Sequence, residues 1–163
     1  MMAIGNIQIS FKPTKQQKDE IKKWLKKEYD TTGEGFYCNL DIIASSFSKH
    51  EAATISLRGK TIGFAIWQHL SDFKARINIV SIKPTQRNKG FGKQLILQLF
   101  KYFIEKNIYV ADLQCVPESS EPIWRKLGFI DFPNKDNSNN WHRGNTRLYK
   151  ILIPFTNTST IND

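Results

Sequence analysis

The stretch Gln86-Arg87-Asn88-Lys89-Gly90-Phe91-Gly92 (QRNKGFG) decides how this chain is read. It follows residues 76–82 (RINIVSI), an apolar run of strand character. It precedes a segment in which Leu95, Ile96, Leu99, Phe100, Phe103 and Ile104 recur every three or four residues, the pattern of a strongly amphipathic helix. A helix N-terminus offers unpaired backbone N–H groups and a partial positive charge. Gly90 and Gly92 let a ligand approach that backbone, and Arg87 and Lys89 add full charges, so phosphate or pyrophosphate is the best-matched anion. Position 95 is Leu, so GxGxxG is not completed, and no GxxxxGK[ST] occurs; a dinucleotide fold and a Walker loop are both disfavoured.

Working outward, residues 7–12 alternate as a strand, and Thr14 is placed to cap a helix carrying Ile21, Trp24, Leu25 and Tyr29. Gly33 and Gly35 break that helix, and residues 40–47 (LDIIASSF) form a second short one. Strands are expected at 53–57, 61–69 and 76–82, joined by turns at Gly59-Lys60 and Ser71-Asp72, which makes an antiparallel meander. Beyond the glycine loop and its helix come a strand at 109–115, a helix at 121–127 ended by Gly128, and strands at 129–132 and 147–153. Strand 76–82, the helix and strand 109–115 form a crossover, so those two strands should be parallel. The expectation is a mixed α/β sheet of six or seven strands, mostly antiparallel with one parallel pair, flanked by about four helices. The ligand site lies where that pair diverges, beside QRNKGFG.

The 163 residues, 40% apolar and 12% aromatic, suit one domain over residues 1–154, with 155–163 as a polar flexible tail. Twenty-four Lys and Arg against 15 Asp and Glu leave a charge of +9, which favours an anionic partner. The cations of residues 15–30 are interleaved with four acids and read as a solvated helix face. Cys38 and Cys115 form no disulfide framework or metal spacing, and each reads as a small buried residue. His50, His69 and His142 form no ligand pair, so no metal is expected. Without a leader pattern or an apolar run of ~18 residues, a cytoplasmic location with no membrane association follows.

Arg87-Asn88-Lys89-Gly90-Phe91-Gly92 resembles the Arg/Gln-x-x-Gly-x-Gly/Ala signature of the GNAT superfamily of N-acetyltransferases, and Ile123 to Phe129 (IWRKLGF) resembles its F-Y-x-K-x-G-F segment. The resemblance is good over residues 76–132 and extends weakly, through element order, over the rest. It implies a GNAT-like acyl-CoA acyltransferase fold and acetyl transfer from acetyl-CoA to a primary amine of a small molecule or protein by direct attack. The diphosphate would lie on N–H groups of Arg87, Asn88, Lys89, Gly90, Phe91, Gly92 and Lys93. Pantetheine would run beside the preceding strand, with N–H groups near Val80, Ser81 and Ile82 polarising the thioester carbonyl.

The family often places a proton-donating Tyr where this chain has Trp124, whose indole N–H is no practical acid. Trp124 either packs against pantetheine or fills core. Ser119 and Ser120 either bond CoA or cap the following helix. Glu34, Asp41 and Glu118, with Ser119, are the candidates for proton transfer, while Cys115, lacking a His partner, reads as structural. Phe36 and Tyr37 either line a substrate wall or belong to the core. Acceptor specificity is expected from residues 29–42, 70–74 and 133–146, the last containing Trp141, His142 and Arg143. Two further readings remain open: an RNA-linked amine acceptor such as an aminoacyl-tRNA, suggested by the +9 charge, and a non-catalytic acyl-CoA-binding module, suggested by the missing Tyr. The oligomeric expectation is monomer or homodimer.

Overall fold

A computed structural model describes residues 5–133 and 146–153. Strand β1 (Ile7–Ser10) leads into helix α1 (Lys15–Thr32), then α2 (Leu40–Ser48), the meander β2 (Ala52–Leu57), β3 (Lys60–Ser71) and β4 (Lys74–Ile82), and helix α3 (Phe91–Glu105). Strand β5 (Val110–Gln114), helix α4 (Glu121–Lys126), β6 (Ile130–Asp131) and β7 (Arg147–Ile151) complete it. The seven strands lie in the order β1-β2-β3-β4-β5-β7-β6, antiparallel throughout except for the β4–β5 pair. The expected mixed sheet, parallel pair and four helices are therefore present.

Local chemistry accounts for the boundaries. Thr14 accepts a hydrogen bond from the Gln17 N–H while the Gln17 side chain accepts from the Thr14 N–H, a reciprocal cap that starts α1. The β2–β3 turn is Arg58-Gly59, both left-handed, one residue earlier than expected. β3 and β4 continue to Ser71 and from Lys74, so their hairpin turns on Asp72-Phe73. The segment 70–74, expected as an acceptor loop, is thus the end of this hairpin. These residues end two strands, at the opposite end of β4 from the glycine loop.

Two cores form on the two faces of the sheet. Helices α3 and α4 bury Leu95, Leu99, Phe103 and Trp124 against Ile55, Trp67, Ile77 and Leu113. Helices α1 and α2 bury Trp24, Leu25, Ile43 and Phe47 against Ala52, Phe64, Ile66 and Ile79. Side chains two apart on a regular strand share a face, yet Ile77 and Ile79 belong to opposite cores. The cause is a bulge. Ile66 pairs with Ile79 and Trp67 with Ile77, so Asn78 is an extra residue with no partner on β3. A bulge bends and twists its strand, and here it sits where the parallel ladder ends, at Ile77 opposite Leu113. β5 instead stays with β7, through Gln114 opposite Arg147 and a 2.8 Å bond from the Cys115 N–H to the Thr146 carbonyl.

Below the divergence, a polar staple ties the three strands. The fully buried Asp112 on β5 takes a forked pair from Arg76 on β4 (Nε–Oδ1 2.9 Å, Nη2–Oδ2 3.1 Å), an ion pair from Lys74 (3.0 Å) and a longer one from Arg147 on β7 (3.5 Å). Desolvation pushes the Asp112 carboxyl up, but the hydrogen bonds and charges of Arg76 and Lys74 outweigh it and hold the group below the ordinary carboxylate range. Among the described residues no helix is long and apolar enough to cross a membrane.

Because the folded pKa of Asp112 is depressed, its stabilisation is complete above the ordinary carboxylate range and is lost as pH falls through the lowered folded value. Asp112→Asn should cost about 3 kcal/mol, the lower end for breaking a buried pair, since the cations keep some solvent access. Urea unfolding at pH 7 and at pH 3 checks this, with the gap between wild type and variant narrowing in acid.

Candidate functional site

The opening between β4 and β5 has two walls of different chemistry. On the β4 side, the Lys83 N–H donates to the Ile62 carbonyl of β3 at 2.7 Å. Peptide groups alternate sides along a strand, so those of Ser81 and Ile79 also face β3, while those of Val80 and Ile82 face the opening. Among the described residues that edge has no strand partner beyond Ile77. Of the three backbone positions expected at the thioester, Val80 and Ile82 are on the free edge. Ser81 is not: it pairs with Phe64 and its side chain is buried.

The glycine loop follows directly. Asn88 and Gly90 are left-handed, with φ of 61° and 83°, and Gly90 precedes α3 without a side-chain cap. The first bond of that helix runs from the Gln94 N–H to the Gly90 carbonyl at 3.1 Å. Among the described residues the N–H groups of Asn88, Lys89, Gly90, Phe91, Gly92 and Lys93 therefore donate to nothing. A run of unbonded N–H groups at a helix start is the kind of feature that can receive an anion. A Cβ on Gly92 would meet only Ile82 Cγ1, at an ordinary 3.6 Å, whereas Gly90 needs glycine for its backbone conformation.

Arg87 behaves differently from the expectation that its guanidinium serves a phosphate. Its Nε donates to the Ile82 carbonyl at 2.7 Å and its Nη2 pairs with Glu28 Oε1 at 2.7 Å. The side chain thus links the loop to β4 and α1. Glu28 is buried, and among the described residues its Oε2 has no hydrogen-bond partner. A Cβ at Gly35 would lie 2.9 Å from that oxygen, so only glycine lets the α1–α2 connection close over it. Lys89 bonds back to the Thr85 carbonyl and Gln86, each at 3.3 Å.

The remaining sequence candidates are dispersed. Glu34, Asp41, Glu118 and Ser119 are all exposed, and none makes a side-chain hydrogen bond among the described residues. Ser120 does not cap α4. Its hydroxyl donates to the Pro117 carbonyl at 2.7 Å, because Ser120 closes the preceding 3-10 turn and has a helical backbone rather than an extended one. Trp124 is buried edge-on against Phe129, with ring centroids 5.4 Å apart, which is the core-filling alternative. Phe36 and Tyr37 are half-buried on the α1–α2 core.

Cys115 is buried as expected, and desolvation, with Glu121 nearby, pushes its thiol up and away from nucleophilic use. Cys38, expected to be buried, is exposed in the short turn before α2. Trp141, His142, Arg143 and the 155–163 tail lie outside the described residues.

Sequence reading missed Glu28, Arg76, Asp112, Gln114 and Arg147. Glu28 carried a signal: it occupies the next position of the stripe Ile21, Trp24, Leu25, where an exposed acid is not expected. Asp112 carried one too, as a lone acid inside an apolar strand.

Comparison with known proteins bears on this geometry. The family model described as acetyltransferase (GNAT) family matches residues 14–129. No curated protein sequence matches significantly. Among solved structures, Ard1 from Thermoplasma volcanium is 16% identical, with a TM-score of 0.66 over 93% of this chain and 99% of its own. The PaiA N-acetyltransferase from Thermoplasma acidophilum, solved with coenzyme A, is 18% identical, with a TM-score of 0.67 over 90% and 99%. An aminoglycoside 6'-N-acetyltransferase complexed with coenzyme A is 13% identical, with a TM-score of 0.70 over 91% and 98%.

Two outcomes check the loop and the thiols. Gly90→Ala should lose about 1–2 kcal/mol to left-handed strain, while Gly92→Ala should leave urea stability unchanged or slightly raised. Iodoacetamide should label Cys38 in the native protein and reach Cys115 only after unfolding, as read by peptide mass spectrometry.

Proposed function

Because the chain belongs to the GNAT acetyltransferase family, we propose that it transfers an acetyl group from acetyl-CoA to a primary amine by direct attack. The observation that carries this reading is the run of unbonded N–H groups from Asn88 to Lys93 beside the unpartnered edge of β4. Diphosphate suits this run by charge and by donor number. Amide groups of an extended pantetheine arm suit the peptide groups of Val80 and the N–H of Ile82, whose carbonyl is already taken by Arg87. Coenzyme A in the PaiA and aminoglycoside acetyltransferase structures, which share the fold, supports the same cosubstrate here.

The chain's own residues then have distinct tasks. Backbone donors of the loop hold the anionic end, and Arg87 keeps the loop in place through Ile82 and Glu28 rather than through its charge on the ligand. A free N–H on β4 is placed to polarise a carbonyl lying along that edge. Acetyl-CoA supplies a thioester, whose thiol has an ordinary pKa of about 8.5 and so leaves without an obligatory acid. That agrees with the burial of Trp124, which is not in a position to donate a proton. Glu34, Asp41 and Glu118 are not assigned as the base.

Calorimetric titration with acetyl-CoA tests the reading: saturable binding is expected, and its absence at high micromolar protein removes the proposal. Gly92→Asp, whose Cβ the fold accommodates, brings a carboxylate to the loop. It should weaken CoA binding at least tenfold, about 1.4 kcal/mol, with the melting temperature of the free protein nearly unchanged.

A further inference from the structure

Just below the opening lies a polar feature to which the acetyl-transfer reading assigns no task. Arg76, Lys74 and Arg147 all converge on Asp112, on the sheet face that carries α1 and α2 further along. Three formal positive charges meet one carboxylate. Asp112 is fully inaccessible, yet the side chains of Arg76 and Arg147 keep 33% and 30% of their surface.

The two arginines are unequally committed. Arg76 is forked onto Asp112, whereas Arg147 approaches a single oxygen at 3.5 Å, the limit of a hydrogen bond. Arg147 is also the one at the rim. It pairs with Gln114, one residue past Leu113, where the parallel ladder with β4 stops. Cross-strand partners share a face, so the Gln114 side chain lies beside Arg147, and its buried Nε2 has no hydrogen-bond partner among the described residues. Phe132 stacks under the cluster, with its ring centroid 5.5 Å from the Arg147 guanidinium carbon and 4.9 Å from the ring of Tyr149. An unsatisfied buried donor next to an under-neutralised guanidinium requires an acceptor.

We propose that Arg147, with Arg76 and the Gln114 amide, holds a carboxylate of the acceptor, so that the substrate is an amino acid-type amine rather than a polyamine. This rests on the acetyl-transfer reading above. A carboxylate is planar and accepts two parallel N–H bonds, which the Arg147 fork provides; a polycation would meet net repulsion. The same positive field disfavours the ammonium form of the attacking amine and so eases its deprotonation at a site where no carboxylate base is assigned.

Matched amine pairs that differ only in the carboxylate test this: lysine against cadaverine, ornithine against putrescine, tyrosine against tyramine. The acid member of at least one pair should show a kcat/KM at least tenfold higher. Arg147→Gln should abolish that preference and Arg147→Lys recover part of it, both with the KM for acetyl-CoA unchanged, whereas a purely structural role would shift the melting temperature and leave the ratio intact. A binding arm is independent of turnover. In the CoA-saturated protein, glutarate should shift the Arg147 Nε–H NMR signal, and Arg147→Lys should weaken glutarate binding. Equal or better use of the decarboxylated members in every pair, or no glutarate-induced shift, overturns the proposal. Loss of acetyl-CoA binding would instead sink the acetyl-transfer reading and leave the glutarate titration, repeated on the free protein, to decide this one.

Discussion

The structure depends on the parting of β4 from β5. A parallel pair is held for four residues, from Lys74 opposite Val110 to Ile77 opposite Leu113, and then Asn78 bulges from β4 and the strands separate. Backbone groups left without partners inside a sheet are costly unless something else reaches them. β5 resolves this by staying on β7, and β4 keeps β3 on its other side. What remains is an edge without a strand partner among the described residues, where Val80 faces the gap and the Ile82 carbonyl is taken by Arg87.

The crossover fixes what stands at the end of that gap. Helix α3 must start close to the end of β4 in order to return its apolar face to the sheet, so its uncapped N-terminus is carried to the mouth of the opening. Arg87 secures the joint. By spanning the Ile82 carbonyl and the buried Glu28, it ties the turn to both β4 and α1, and leaves the ligand-facing work to peptide N–H groups. Backbone donors held this way need no rearrangement to receive an anion, which is the advantage of a nest over flexible lysines.

On the lower side of the gap, the Asp112 staple ties β4, β5 and β7 together through ion pairs. A single buried carboxylate cannot neutralise three cations, so the same group that stabilises the sheet leaves a positive rim.

Much of this was legible in the residues. The periodicity of α1 and α3, the Thr14 cap, the meander and the crossover follow from local spacing and from chirality, and local rules act on neighbours in the chain. The glycine turn and the helix start after it were legible for the same reason, since they are contiguous. The bulge at Asn78 was not, because RINIVSI reads as a regular run until β3 imposes its register and sends Ile77 and Ile79 to opposite cores. Nor were the internal use of Arg87, the burial of Glu28 or the meeting of Arg76, Gln114 and Arg147 legible. Spacing along the chain determined which elements form and that a helix start would offer itself to an anion. Only the tertiary structure decided which charges are spent on one another and which are left for a ligand, because that balance is set by desolvation and by distances between residues remote in sequence.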